Sequence, residues 1–210
     1  KTTDLNVLET FDPKVPDAYK DSSFVLLANL DPEIQLKALS QFTKPRFVVL
    51  DTMNYWIEHT PKKLLDVVQK VDMVIINDAE IREFMDIPNV ISAAKKLQTQ
   101  GVKHVIVKKG EHGAILFSHD SIFYAPSYPL ETVLDPTGAG DSFAGGFLGY
   151  LDSTDMTLEN MRKAVIVGST LASFNVENFA HEGTIRLEED TIRKRFDHFV
   201  DISCFEPIKW

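Results

Sequence analysis

From Phe24 onward, short apolar runs alternate with stretches in which apolar residues return at helical spacing. The runs are Phe24 to Leu30, Phe47 to Leu50, Met73 to Ile76, Val102 to Val107 and Ala114 to Phe117. Each has strand length and little polar interruption, the pattern of strands covered on both faces. Leu36, Leu39 and Phe42 predict a first helix, and Leu64, Leu65, Val67, Val68 and Val71 a second. Ile81, Phe84 and Met85 predict a third, broken at Pro88. Asp31-Pro32-Glu33 is a good helix start, and Asn89 is the expected cap of a further helix with Ile91, Ala94 and Leu97 inward and Gly101 as its stop. Gly110 and Gly113 bracket a turn. This alternation predicts βαβ units and a largely parallel, doubly covered sheet. From Gly138 the pattern is mainly helical, whereas residues 1–22, with Pro13, Pro16 and scattered Asp and Lys, read as a connector. No repeat or linker interrupts the remainder, so one α/β domain is expected over residues 23–210.

Composition narrows the classes. The 210 residues carry 22 basic and 31 acidic side chains, a formal charge of −9, with 44% hydrophobic and 25% charged residues. That is ordinary globular usage rather than disorder. No cluster of five Lys or Arg exists, so a phosphate-neutralising nucleic-acid surface is not expected. No apolar run approaches the roughly 20 residues that span a bilayer, and Lys1-Thr2-Thr3-Asp4 does not lead into the apolar segment of a signal peptide. Cys204, the one cysteine, permits no disulfide within the chain. The expectation is a soluble protein of a reducing compartment, the cytoplasm.

In open α/β sheets, ligands gather outside the carboxyl ends of the strands. The residues to examine are therefore those that close the apolar runs: Asp51, Asn54, Asn77, Glu80, Lys108 and the segment after Leu134. The strongest signal is Asp135-Pro136-Thr137-Gly138-Ala139-Gly140-Asp141-Ser142-Phe143-Ala144-Gly145-Gly146-Phe147. An apolar approach through Val133 and Leu134 ends in a glycine-rich turn that runs into the helical stripe Phe143, Phe147, Leu148 and Leu151. Glycines let successive backbone N–H groups point into one concavity, and the new helix adds its positive end. Such a nest stabilises an anion that develops there during reaction. Asp141, in the first turn, would repel a bound phosphate unless it had a task, such as taking a proton from an attacking hydroxyl. Gly145 and Gly146 inside a helix cost about 1 kcal/mol each relative to Ala, which points to close backbone packing or a ligand nearby. The competing reading is a plain strand-to-helix turn with Asp141 as a partner of the helix dipole.

Asn77 and Glu80 also fit a reciprocal cap at a helix start, and the two roles are compatible. Tyr55 and Trp56 read as core packing beside a strand end more readily than as a stacking platform. The six histidines show no metal-ligand spacing. Gly140-Asp141-Ser142 also suggests a serine esterase, but the Asp-x-x-His pair that would activate Ser142 is missing. A phosphate loop of the Gly-Lys type is excluded, and the Rossmann fingerprint fails at Phe143.

The string from Asp135 resembles the second signature of the PfkB/ribokinase family of carbohydrate and nucleoside kinases, Asp-Thr-x-Gly-Ala-Gly-Asp-x-Phe. It does so through Asp135, Thr137, Gly138, Ala139, Gly140, Asp141 and Phe143, with Pro136 where the family often has Thr. Asn77-Asp78-Ala79-Glu80 resembles the family's Asn-x-x-Glu. The resemblance implies that Asn77 and Glu80 help organise Mg²⁺ and the nucleotide phosphates through water. Val107 to Ala114 resembles the glycine turn against the nucleotide, which implies Lys108, Gly110 and Gly113 at an ATP site; as a turn alone it is unspecific. Gly168-Ser169 and Ala172-Ser173-Phe174 resemble the adenine-side segment, although helix packing onto the sheet explains them equally well.

The fold so implied is α/β, a ribokinase-like three-layer αβα arrangement with a largely parallel central sheet. The implied activity is transfer of the ATP γ-phosphoryl group to an alcohol of a sugar or nucleoside. Asp141 would be the base and Gly138, Ala139 and Gly140 the anion hole. The implied cofactors are ATP and Mg²⁺, with K⁺ or a similar cation at Asp135 and Thr137 as partial ligands. The resemblance covers the family's C-terminal two-thirds. It lacks the strands that grip the acceptor and most of the β-lid, with residues 1–11 as the last lid strand or the return from it, so the sheet is expected to be N-terminally incomplete. Expected partners are the sugar or nucleoside acceptor and optionally a second copy of the chain in a homodimer, with no nucleic acid and no membrane. The alternative function is a catalytically silent nucleotide-binding module of the same fold.

Overall fold

The computed structural model describes residues 4–204 and 208; the outermost residues of the expected connector and of the expected domain, 1–3, 205–207, 209 and 210, lie outside the described residues. Six strands form one sheet in the order β1 (Phe24–Leu27), β2 (Phe47–Asp51), β3 (Met73–Asn77), β4 (His104–Lys108), β5 (Ala114–Ser118) and β6 (Ser121–Ala125). The first three neighbouring pairs are parallel. The connections from β4 to β5 and from β5 to β6 are too short for a parallel crossover, so these strands return as hairpins. The expected largely parallel sheet is present.

The helices are α1 (Pro32–Leu39), α2 (Asn54–His59), α3 (Pro61–Val68), α4 (Asp78–Met85), α5 (Val90–Gln98), α6 (Ala139–Asp152), α7 (Leu158–Val176) and α8 (Glu189–Ser203). Their starts follow the sequence. Asp31 accepts from the Glu33 N–H at 2.7 Å with Pro32 as the first helical residue, and Asn89 accepts from the Ser92 N–H at 3.0 Å. Helix α4 ends at Met85, before Pro88, because Asp86 turns left-handed at φ 52°. Residues 6–8 and 17–19 form short 3-10 turns that bury no side chain.

Contacts divide the chain into two compact units, one reaching Lys108 and including Ile115–Ile122, the other made of Lys109–Ala114 and the chain from Phe123. In the first unit, β2, β3 and β4 are buried along nearly their whole length, and Val49, Leu50, Ile75, Ile76, Val105 and Val107 have no exposed surface. Doubly covered strands are apolar through most of their length, which is why these runs were visible. His104 opens β4 and is 7% exposed. Its Nδ1 lies 2.9 Å from the Ser118 Oγ, its ring meets His119 edge-on at 5.5 Å, and burial depresses its pKa to about 4.

In the second unit, α6 and α7 cross closely. A Cβ on Gly146 would come within 2.8 Å of Leu171 and 3.2 Å of the Gly168 Cα, and one on Gly168 within 2.7 Å of the Phe143 carbonyl oxygen. Close packing therefore accounts for Gly146 and for the smallness of Gly168. Gly145 has open space on its side, and nothing in the structure explains it. A strand before the glycine turn does not exist: Val133 and Leu134 are exposed, and the Leu134 and Asp135 N–H groups bond to the Val176 carbonyl at the end of α7.

Candidate active site

The first unit places its candidate groups at the carboxyl ends of three adjacent strands. Asp51 closes β2, Asn77 closes β3 in register with Lys108, and Lys108 closes β4. The Lys108 Nζ stands 3.5 Å from the Asp51 Oδ1, both side chains being mostly buried. Asn77 and Glu80 form a complete capping box: Asn77 Oδ1 accepts from the Glu80 N–H at 2.8 Å, and Glu80 Oε2 accepts from the Asn77 N–H at 2.9 Å. Burial raises the Glu80 pKa, the Asn77 N–H and the Lys108 charge counter it, and Asp51 and Glu83 push it further up. Lys108 is thus paired with Asp51, and its charge also acts on the Glu80 carboxyl. The two carboxyl groups are hard oxygen ligands of the kind Mg²⁺ takes.

The second unit holds the glycine turn. Gly138 sits at φ 81°, a left-handed conformation that favours glycine, and serves as a cap without a side chain at the start of α6. The Ala139 N–H bonds to the Pro136 carbonyl at 3.2 Å, and the Ser142 N–H to the Gly138 carbonyl at 2.8 Å. Among the described residues, the N–H groups of Gly138 and Gly140 have no partner. Of the three residues assigned to the anion hole, two thus offer a free donor. Asp141 follows in the first turn, exposed, with no hydrogen-bond or ion-pair partner among the described residues. Asp135 is folded inward: Oδ1 accepts from the Thr137 N–H at 2.9 Å and Oδ2 from the Ala180 N–H at 3.1 Å. The Thr137 hydroxyl together with these N–H groups holds its carboxyl below the usual range, so it stays ionised and keeps lone pairs for a cation.

Gly110 and Gly113 bound the short helical turn Gly110–His112. Gly110 faces open space, whereas a Cβ on Gly113, at φ 84°, would stand 2.0 Å from the Ala125 carbonyl oxygen. Gly113 is therefore explained by the hairpin itself. Gly168 lies buried in the crossing of α7 with α6. Two residues near the turn were not anticipated, Asn175 and Ala180. Asn175 left a faint signal, a polar residue amid the apolar positions of α7, whereas the Ala180 contribution is a backbone group and has no sequence signal.

The pattern described as pfkB family carbohydrate kinase matches residues 6–186. The chain belongs to the pfkB family of carbohydrate kinases. Among curated relatives, it is 33% identical to the cytidine kinase of Thermococcus kodakarensis over 141 residues, 65% of this chain and 50% of that protein. It is 28% identical to the nucleoside kinase of Methanocaldococcus jannaschii over 158 residues, 75% of this chain and 50% of that one. The crystal structure of the Methanocaldococcus jannaschii nucleoside kinase superposes with a TM-score of 0.72 at 23% identity, covering 92% of this chain and 60% of the other. Ribokinase from Thermotoga maritima gives 0.64 at 25% identity, with 85% and 57% covered. This pfkB-family chain spans about half the length of the curated relatives it matches. The ribokinase-like α/β fold expected from the signature is the fold observed.

Proposed function

We propose that this pfkB-family protein transfers the γ-phosphoryl group of ATP to an alcohol of a sugar or nucleoside, acting in the cytoplasm. The observation that carries the reading is Asp141: an exposed carboxylate in the first turn of α6, next to the unpartnered N–H groups of Gly138 and Gly140. A carboxylate so placed can accept the proton of an attacking hydroxyl while the N–H groups receive the charge of the migrating phosphoryl. In the first unit, Glu80 and Asp51 are the oxygen donors suited to Mg²⁺, and Lys108 the cation suited to phosphate oxygens. Bound there, Mg²⁺ would supply neutralisation of phosphate charge. Asp135, ionised and turned toward the Thr137 and Ala180 amides, is the ligand for a monovalent cation such as K⁺, with Thr137 beside it. Gly110 and Gly168 are assigned to the nucleotide on the resemblance alone.

The test is a thermal melt of the protein made from its full gene, with and without ADP·Mg²⁺, followed by phosphorylation assays with a panel of nucleosides and sugars. ADP at about 100 times its dissociation constant should stabilise the fold by roughly 2.7 kcal/mol. Folded protein that gains no stability and phosphorylates no member of the panel overturns the proposal.

A further inference from the structure

We infer that Asn175 is a positioning residue for the glycine turn. Its side chain sets the direction of the N–H groups that receive the phosphoryl charge. The inference rests on the function proposed above for that turn.

Asn175 lies one residue before the end of α7 and is 1% exposed. A buried carboxamide must find partners for its donor and its acceptor, and here both partners belong to the turn. Nδ2 donates to the Thr137 carbonyl at 2.7 Å, and Oδ1 accepts from the Ser142 hydroxyl at 2.9 Å. One planar group thus holds the residue before Gly138 and the residue after Asp141. The carbonyl of Thr137 and the N–H of Gly138 belong to one rigid peptide unit and point in opposite directions. Drawing the carbonyl toward Asn175 therefore turns the Gly138 N–H away from α7, where it meets no partner among the described residues. The fit is close: a Cβ on Gly138 would stand 3.3 Å from the Asn175 Oδ1. The Val176 carbonyl takes the Leu134 and Asp135 N–H groups, so the end of α7 grips the turn from its approach to its exit.

The experiment compares Asn175→Ala, Asn175→Leu and Ser142→Ala with the wild type, all made from the full gene. Leucine keeps the side-chain volume and removes both hydrogen bonds, which separates positioning from packing. For Asn175→Leu, amide exchange at Thr137, Ala139 and Ser142, whose N–H groups are hydrogen-bonded within the turn, should rise tenfold or more, and kcat should fall roughly 10–100-fold while KM for ATP stays within threefold. Ser142→Ala should give the same pattern more weakly. Asn175→Leu with exchange and kcat within twofold of the wild type overturns the assignment. So does a loss of activity that only follows the fraction of unfolded protein. If the wild type proves to have no kinase turnover, the proposed function fails, and the exchange comparison still decides whether Asn175 orders the turn.

Discussion

Helices α4 and α6 each begin with a cap residue and an acidic residue three positions on, Asn77 with Glu80 and Gly138 with Asp141, yet the two starts are built for opposite ends. At α4 the two side chains reach back and satisfy each other's backbone N–H groups, closing the helix from within. At α6 the cap is a glycine with nothing to offer, Asp141 does not fold back, and donors stay open. A closed start adds stability to the fold. An open one forgoes that stability and leaves charge-binding groups ready for a ligand.

The sharpest way to break the comparison is Asp141→Asn. With Asp141 as the proposed proton acceptor, this change keeps the shape and should lower turnover about 10²–10⁴-fold. Nucleotide affinity should hold or tighten, because a negative charge near the phosphates is gone. Steady-state kinetics with nucleotide titration checks both; a variant with near-normal turnover would reduce Asp141 to a dipole partner. Next in size is Gly113→Ala, which forces a Cβ against the Ala125 carbonyl oxygen at a left-handed residue. It should destabilise by roughly 3–4 kcal/mol in denaturant melts, against about 1 kcal/mol for Gly110→Ala in open space. Equal effects would mean that the two glycines have one cause.

Strand β4 offers a related contrast between its start, His104, and its end, Lys108. His104 has an ordinary pKa of 6.5 and a folded one of about 4. Between these values the unfolded chain binds the proton and the native state does not. Stability should therefore be full above pH 6.5 and fall as the pH drops toward 4, by roughly 3 kcal/mol at most. His104→Gln should flatten that slope in melts taken across the range. The smallest effects belong to the closed helix start. Asn77→Ala should cost about 1 kcal/mol. Glu80→Gln keeps the capping geometry and most of the stability, while the Mg²⁺ needed for half-maximal rate should rise about tenfold. A Glu80→Gln enzyme with unchanged Mg²⁺ dependence would leave Glu80 a cap and nothing more.

The sequence by itself determined the buried strands β2, β3 and β4, because a strand covered on both faces is apolar through most of its length. It also determined the caps at Asp31 and Asn89, where a side chain bonds to a backbone only two or three residues away. Strand β6 was missed because its burial alternates along Ser121–Ala125, without a continuous apolar run. Helix α2 is a short element whose Trp56 is held by Asn29, a residue distant in sequence. Gly138 was legible as a turn residue because a positive φ is a local demand on the backbone, whereas the roles proposed for Asp135 and Asp141 come from the resemblance of their motif. What tertiary structure alone decided is which groups remain free: the Ala139 N–H is occupied by Pro136, and the turn is braced by Asn175 and Ala180 rather than by a strand. The Asn175 and Ala180 hydrogen bonds join residues 38 and 45 positions apart, and only the folded chain can choose such partners.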